Sequence, residues 1–247
     1  MIRRLACLLA LGALPLAAQA TDPLSYSFVE AQYLNTKLKT TGVAQTDKFE
    51  GYSANLDLSV YKWVYFTGGL DKRRAQNYRQ AFQYAGFGGH TTKSFSEMVQ
   101  LYGEATYERS VYNDVTHAPG AFDAANDGWG IGGGARMPWN SFEFSVYGKY
   151  VDLGTSDKIA SRSATFGPDS IKATGDNFGA SVLMQLSPFF GLTADYRHLD
   201  RSYKGSATAA GTDVKDQYDE FLVGFRAYFA TDIDRYRRRG GIFGSGQ

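Results

Sequence analysis

A chain of 247 residues with 26 Lys and Arg against 25 Asp and Glu carries no electrostatic footprint of nucleic-acid binding. Its only cysteine, Cys7, stands near the start, so the rest of the chain can form neither a disulfide nor a thiolate metal site. Aromatic residues at 15%, with 28 glycines and only 6 prolines, favour long strands, and no later stretch approaches the ~18 apolar residues of a membrane helix.

The first twenty residues read as an address. Met1–Arg4 is cationic, Leu5–Leu16 is apolar, and Ala18-Gln19-Ala20 offers an A-x-A cleavage site before Thr21. Residues 1–20 are therefore expected to be a cleaved secretory signal peptide, since the apolar run is too short to cross a bilayer. The chain that remains is close to neutral.

From there the sequence alternates. Leu24–Asn35 sets Glu30 and Gln32 against Val29, Ala31 and Tyr33, and polar residues 36–48 follow. Phe49–Val60 sets Tyr52, Ala54, Leu56, Leu58 and Val60 against Ser53, Asn55 and Asp57. A tight link leads to Trp63–Asp71, and Lys72–Asn77 is expected to be a basic loop. Tyr78–Phe87 is read with Tyr78, Phe82 and Tyr84 on the apolar face, opposite Arg79, Ala81 and Gln83. After a short glycine turn, Phe95–Arg109 sets Val99, Leu101, Ala105 and Tyr107 against Gln100, Tyr102, Glu104 and Thr106.

Residues 113–127 are expected to be a long loop. Gly128–Met137 turns at Pro138–Ser141 into Phe142–Val151, where Phe142, Phe144, Val146 and Tyr150 face away from Glu143, Ser145, Tyr147 and Lys149. A polar loop over 155–170 precedes Asn177–Leu186 and Leu192–Leu199, and a second over 205–216 reaches the last segment, Gln217–Phe229. There Phe221, Val223, Phe225, Ala227 and Phe229 form one apolar row, while Glu220, Gly224 and Arg226 take the other face.

A period of two with one greasy and one polar face marks strands between two solvents. Long and tight connections alternate, as they do in membrane barrels, whereas a soluble sandwich has no reason to sort its loops this way. The expected fold is all-β: a single antiparallel transmembrane barrel of about ten strands, with eight as the alternative, over residues 21–229. Short turns and both termini lie on the periplasmic side, and the basic, glycine-rich tail 230–247 hangs there as a disordered end.

Three stretches, Ser25–Tyr33, Val64–Gly69 and Phe225–Phe229, resemble strands of the small outer-membrane β-barrels of Gram-negative bacteria. That broad superfamily holds OmpA-like transmembrane domains and opacity-type adhesins, and the likeness is greatest to a short-looped group from xanthomonads. The resemblance implies an outer-membrane location and reading of the closing row Phe221, Val223, Phe225, Ala227 and Phe229 by the barrel-assembly machinery. It departs in one respect: such chains usually end on the terminal aromatic, whereas Ala230–Gln247 follows here.

The polar phase gathers Glu30, Asp57, Asp71, Glu104, Glu143 and Asp195 with Arg79, Arg136, Lys149, Arg197 and Arg226. Inside a narrow barrel these charges must pair, because an unpaired charge away from bulk water is costly. The expectation is a lumen closed by ion pairs; a charge-lined pore is the alternative. Lys37, Lys39, Lys48, Lys72, Arg73 and Arg74 are placed in outer loops, where they could hold lipopolysaccharide phosphates.

Gly128-Trp129-Gly130-Ile131-Gly132-Gly133-Gly134 contains G-x-G-x-x-G, but a dinucleotide site needs a strand before it and a helix after it. Glycine on the lumen side of a continuing strand relieves crowding instead. Of the histidines, His90 lies by a turn and His117 in a loop. His198 shares its phase with Asp200 and Ser202, which invites comparison with barrel lipid-A hydrolases. Four strand residues separate His198 from Ser202, roughly 13 Å at ~3.3 Å per residue, where a nucleophile–base pair needs about 3 Å. No cofactor or metal is expected. The role expected is that of a monomeric, non-enzymatic barrel for surface interaction or envelope integrity, with a narrow passive pore second and a lipid-A-modifying hydrolase third.

Overall fold

Ten long strands account for nearly all of the chain that the computed structural model describes, which is residues 27–40, 46–61, 63–75, 78–91, 99–114, 122–139, 141–155, 160–161, 172–187, 189–204 and 214–229. The expected signal peptide and the tail 230–247 lie outside these residues. In chain order the strands are β1 (Phe28–Thr40), β2 (Thr46–Tyr61), β3 (Val64–Arg74), β4 (Tyr78–His90) and β5 (Gln100–Asp114). They continue as β6 (Phe122–Trp139), β7 (Phe142–Thr155), β8 (Lys172–Gln185), β9 (Phe190–Lys204) and β10 (Val214–Tyr228). A two-residue piece, Ala160–Ser161, pairs with the start of β6.

Each strand pairs antiparallel with its sequence neighbours, and β1 pairs with both β2 and β10, so the sheet closes on itself. The register measures the closure. From Phe28 the partners run Asp57, Thr67, Gly86, Thr106, Gly130, Val151, Gly175, Arg201 and Asp216, and return to β1 at Thr40, twelve residues further along. With ~3.3 Å per residue and ~4.8 Å between strands, that stagger tilts ten strands by about 40°, as barrel closure demands.

The outer wall locates the membrane. Read from the turn end, the outward row of every strand is apolar until one step, where it first becomes polar. Those steps are Tyr33 to Asn35, Tyr52 to Glu50, Leu70 to Lys72, Ala85 to Gln83 and Tyr107 to Arg109 in β1–β5. In β6–β10 they are Trp129 to Asp127, Tyr150 to Asp152, Phe178 to Asp176, Tyr196 to His198 and Phe221 to Asp219. Eight of these ten last apolar residues are aromatic, and at the turn end Tyr61, Trp63, Trp139, Phe142 and Phe190 form a second exposed ring. An apolar band bounded by two aromatic girdles is the surface of a lipid-embedded barrel of the outer-membrane type.

The strands overrun the ~9–11 residues a bilayer requires, and this corrects the expected loop bounds, with β1 running on to Thr40 and β10 beginning at Val214. β2 begins at Thr46, β3 extends through Lys72–Arg74, β6 begins at Phe122 and β8 at Lys172. Above the girdle the outward face meets water and carries charge while the inward face stays buried, so the apolar outward row that marks a strand in the sequence disappears. The connections are accordingly less sorted than expected: residues 75–77 between β3 and β4 are shorter than residues 91–99 between β4 and β5.

The phase of β4 is also opposite to expectation. Gln80, Phe82 and Tyr84 face the lumen, while Arg79, Ala81 and Gln83 lie outward. Phe82 and Tyr84 cover charged groups inside the barrel, a use for aromatics that competes with lipid contact.

Candidate functional site

The lumen holds three linked charge clusters. At the periplasmic end Arg136 on β6 donates two 2.8 Å hydrogen bonds to Glu143 on β7, from Nε to Oε1 and from Nη2 to Oε2. Arg226 on β10 donates to Glu30 on β1 at 2.9 Å and reaches Glu143 at 3.5 Å, which joins the two pairs. Its guanidinium lies over the Phe28 ring, 4.1 Å from the centroid. Phe28, Leu183 and Tyr228 form a buried apolar cluster at this end of the lumen.

Near the middle the Lys149 ammonium sits 2.6 Å from Glu108 and 3.1 Å from Glu104, and 4.8 Å from the centroid of the Tyr84 ring. The glycine row of β6 makes this possible. A Cβ on Gly130 would stand 2.7 Å from Lys149 Cε and 2.9 Å from Glu108 Oε1. The row thus continues as a strand between β5 and β7, as expected, and leaves room for the ion pair.

Toward the outer end Arg73 Nη2 approaches Glu220 Oε1 at 2.6 Å, both side chains fully buried. Arg197 reaches Asp71 at 3.1 Å, and Thr36 donates to Glu220 at 3.1 Å. The Arg73 guanidinium lies 4.3 Å from the Phe82 ring centroid and 5.4 Å from that of Tyr218. Above it, Leu38, Phe49, Leu199 and Tyr218 form a second buried apolar cluster. Ion pairs sheathed by aromatics at each end are the low-dielectric arrangement in which charge-assisted hydrogen bonds are strongest.

Between the two ends lies a cavity of about 220 Å³, lined among others by Asp57, Tyr84, Glu104, Tyr147, Lys149 and Asp195. Asp57 takes a hydrogen bond from Thr67, and Asp195 one from the Gln32 amide, which also donates to Thr193.

Of the expected lumen charges, Glu30, Asp57, Asp71, Glu104, Arg136, Glu143, Lys149, Asp195, Arg197 and Arg226 face inward. Arg79 does not; it is exposed on the outer wall because β4 turns Phe82 and Tyr84 inward. Arg73 makes the reverse exchange. Expected in an outer loop, it is only 2% exposed and belongs to the lumen network, because β3 continues past Asp71 and keeps its alternation. Lys37, Lys39, Lys48, Lys72 and Arg74 are exposed on strand walls above the girdle, not in loops. Sequence reasoning missed Glu108, which shares the parity of Glu104, and put Glu220 on the polar face beside Arg226 without counting it in the charge network.

On the closing strand Phe221, Val223 and Phe225 point outward at 57–65% exposure, with Ala227 and Phe229 half-buried in the same row. On the outer wall of β9, His198 Nδ1 is 2.7 Å from Asp219 and Nε2 is 3.4 Å from Asp200. Among the described residues no cluster of His, Cys, Asp or Glu is arranged to hold a metal ion.

No known protein-family profile matches the chain, and no curated protein sequence matches it. Among solved structures it is similar to the outer membrane protease OmpT from Escherichia coli, at 10% identity and TM-score 0.48 over 85% of this chain and 99% of that one. It is also similar to the transport unit of the autotransporter AIDA-I from Escherichia coli, at 9% identity and TM-score 0.45 over 90% and 97% of the two chains. A third similar structure is Ail, the attachment invasion locus protein of Yersinia pestis, at 14% identity and TM-score 0.30 over 82% and 99%. The fold of this chain is fixed by its own strand pairings: a small, closed, ten-stranded antiparallel barrel.

Proposed function

We propose that this protein is a non-enzymatic barrel whose role is structural and surface-interacting, presenting its outer strand ends and loops on a scaffold that conducts nothing. The observation that supports this reading is the stoppered lumen: Arg73–Glu220 under Leu38, Phe49, Leu199 and Tyr218 at one end, and Arg226–Glu30 with Arg136–Glu143 beside Phe28, Leu183 and Tyr228 at the other. Each of these six charges faces a counter-charge and has little tendency to exchange it for a passing ion, because breaking a buried pair costs about 3–5 kcal/mol.

Planar-bilayer conductance of the refolded protein tests it. The native protein is expected to give near-zero current, and Arg136→Glu or Glu143→Lys to raise it or to destabilise the barrel. A well-defined open-channel current in the native protein overturns the proposal. That result would favour a second reading, a narrow passive pore, which draws its support from the polar cavity of about 220 Å³ between the stoppers.

A further inference from the structure

Two carboxylates of the lumen stand apart from its ion pairs. Glu30 is held by Arg226, Glu143 by Arg136 and Asp71 by Arg197, while Glu104 and Glu108 share Lys149. Asp57 on β2 and Asp195 on β9 have no cation within 4 Å among the described residues. Each is held by one neutral donor, Asp57 by Thr67 and Asp195 by the Gln32 amide. Both line the cavity between the stoppers, whose wall carries seven carboxylates against five Lys and Arg side chains. An unpaired charge away from bulk water is costly, so this cavity calls for two positive charges from outside the chain.

The cavity says what kind of cation. At about 220 Å³ it far exceeds the roughly 10–15 Å³ that one water needs, so it has room for a small molecule. No cluster of carboxylates among the described residues is arranged to hold a metal ion. Asp57 and Asp195 stand on strands separated by β1 and β10, about 14 Å apart along the wall at ~4.8 Å per strand step, and both reach inward from it.

The lumen already shows how it holds an ammonium. Lys149 sits between Glu104 and Glu108, with its nitrogen 4.8 Å from the centroid of the Tyr84 ring. Tyr84, Tyr102 and Tyr147 line the same cavity, and Tyr147 lies against Gly179, where a Cβ would come within 2.6 Å of its ring. Carboxylates beside aromatic faces favour an organic ammonium. Two such carboxylates set apart fit the two ends of a short chain. We infer that the lumen cavity binds a short aliphatic diamine as its dication, one ammonium at Asp57 and the other at Asp195, with the methylene chain against the tyrosine rings. The inference rests on the closed lumen and adds a ligand class to it: a molecule enclosed as the strands close needs no conduction path.

The test refolds the full chain into phosphatidylcholine vesicles with diaminobutane or, as its uncharged equivalent, butanediol. After removal of free ligand, native mass spectrometry reads what the barrel retains, and the temperature of gel-mobility change reads stability. The barrel should retain a single diamine and no butanediol. Asp57→Asn and Asp195→Asn should each weaken retention about tenfold or more, the loss of one charge-assisted contact. Without diamine both variants should be at least as stable as the native protein, since a neutral amide replaces an unpaired charge. Asp176→Asn with Asp200→Asn, a facing pair on the outer wall, should leave retention unchanged. Undiminished retention in the lumen variants overturns the inference, as does an equal loss in the outer-wall variant. Equal stabilisation by sodium chloride at the same charge overturns it too, because any cation then serves. So does native protein that acid stabilises as much and that retains no diamine, because the two carboxylates then hold protons. An open-channel current from native protein without diamine contradicts the closed lumen instead, and is recorded first on the same preparation.

Discussion

Arg73 and Lys72 are neighbours in sequence with opposite fates, and the contrast shows what one residue of strand register is worth. Lys72 is exposed above the girdle beside Tyr52, whereas the Arg73 side chain is fully buried against Glu220. Nothing in the local composition of Lys72-Arg73-Arg74 separates them; only continuation of the β3 alternation does. Glu220→Gln leaves the buried Arg73 guanidinium with only its longer 3.5 Å contact to Asp71, which Arg197 shares, and should cost about 3 kcal/mol. Lys72→Gln should stay within about 0.5 kcal/mol, as surface changes usually do. Urea unfolding in lipid vesicles measures both, and equal effects would show that Arg73 is not in the lumen.

At the scale of the strand, the lipid-facing half was legible in the sequence and the water-facing half was not. The row Phe221, Val223, Phe225 announces itself because its two faces meet different solvents. Lys37, Lys39 and Arg74 belong to strands just as surely, but above the girdle the outward face meets water instead of lipid and the apolar row stops. β4 failed for a different reason: Phe82 and Tyr84 are aromatic yet face inward, where they cover Arg73 and Lys149. Parity from the neighbouring strands would have corrected it, because Tyr84 lies opposite Glu108 in the register and Glu108 shares the phase of Glu104.

The placement of the lipid band gives a prediction of its own. Phe225→Arg sets a charge midway along the apolar row and should cost about 2–4 kcal/mol, while Gln217→Arg, above the girdle on the same strand and face, should cost about 0–1 kcal/mol. Refolding titrations into vesicles compare them directly, and similar costs at the two positions would mean the band is misplaced. The closing row makes a further demand. Removal of residues 230–247 should leave insertion intact, because Phe229 N already donates to Ser27 O at 2.8 Å and the row is complete without them. Phe229→Asp should impair insertion; membrane fractionation decides, and the opposite pair of outcomes would show that the chain closes elsewhere.

For the whole molecule, three independent counts agree. The register returns to β1 twelve residues along after ten strands, the outward row turns polar at one level in all ten, and the inward charges form linked clusters capped by apolar side chains. A sequence reading reaches the strand number and the inward phase of most charges, because both follow from alternation alone. It does not reach which acid meets which base: Lys149 meets Glu104 and Glu108 only because the β5, β6 and β7 registers bring them level across the glycine row.

That the closed wall is embedded in lipid is the claim on which the lumen, its cavity and the role all depend. Gel mobility in SDS, with and without boiling, of protein taken from the membrane fraction tests it most directly. The account predicts a folded form that resists SDS until heated and then shifts to the mobility of the unfolded chain. Recovery of the protein in the soluble periplasmic fraction, with one mobility at every temperature, would contradict it.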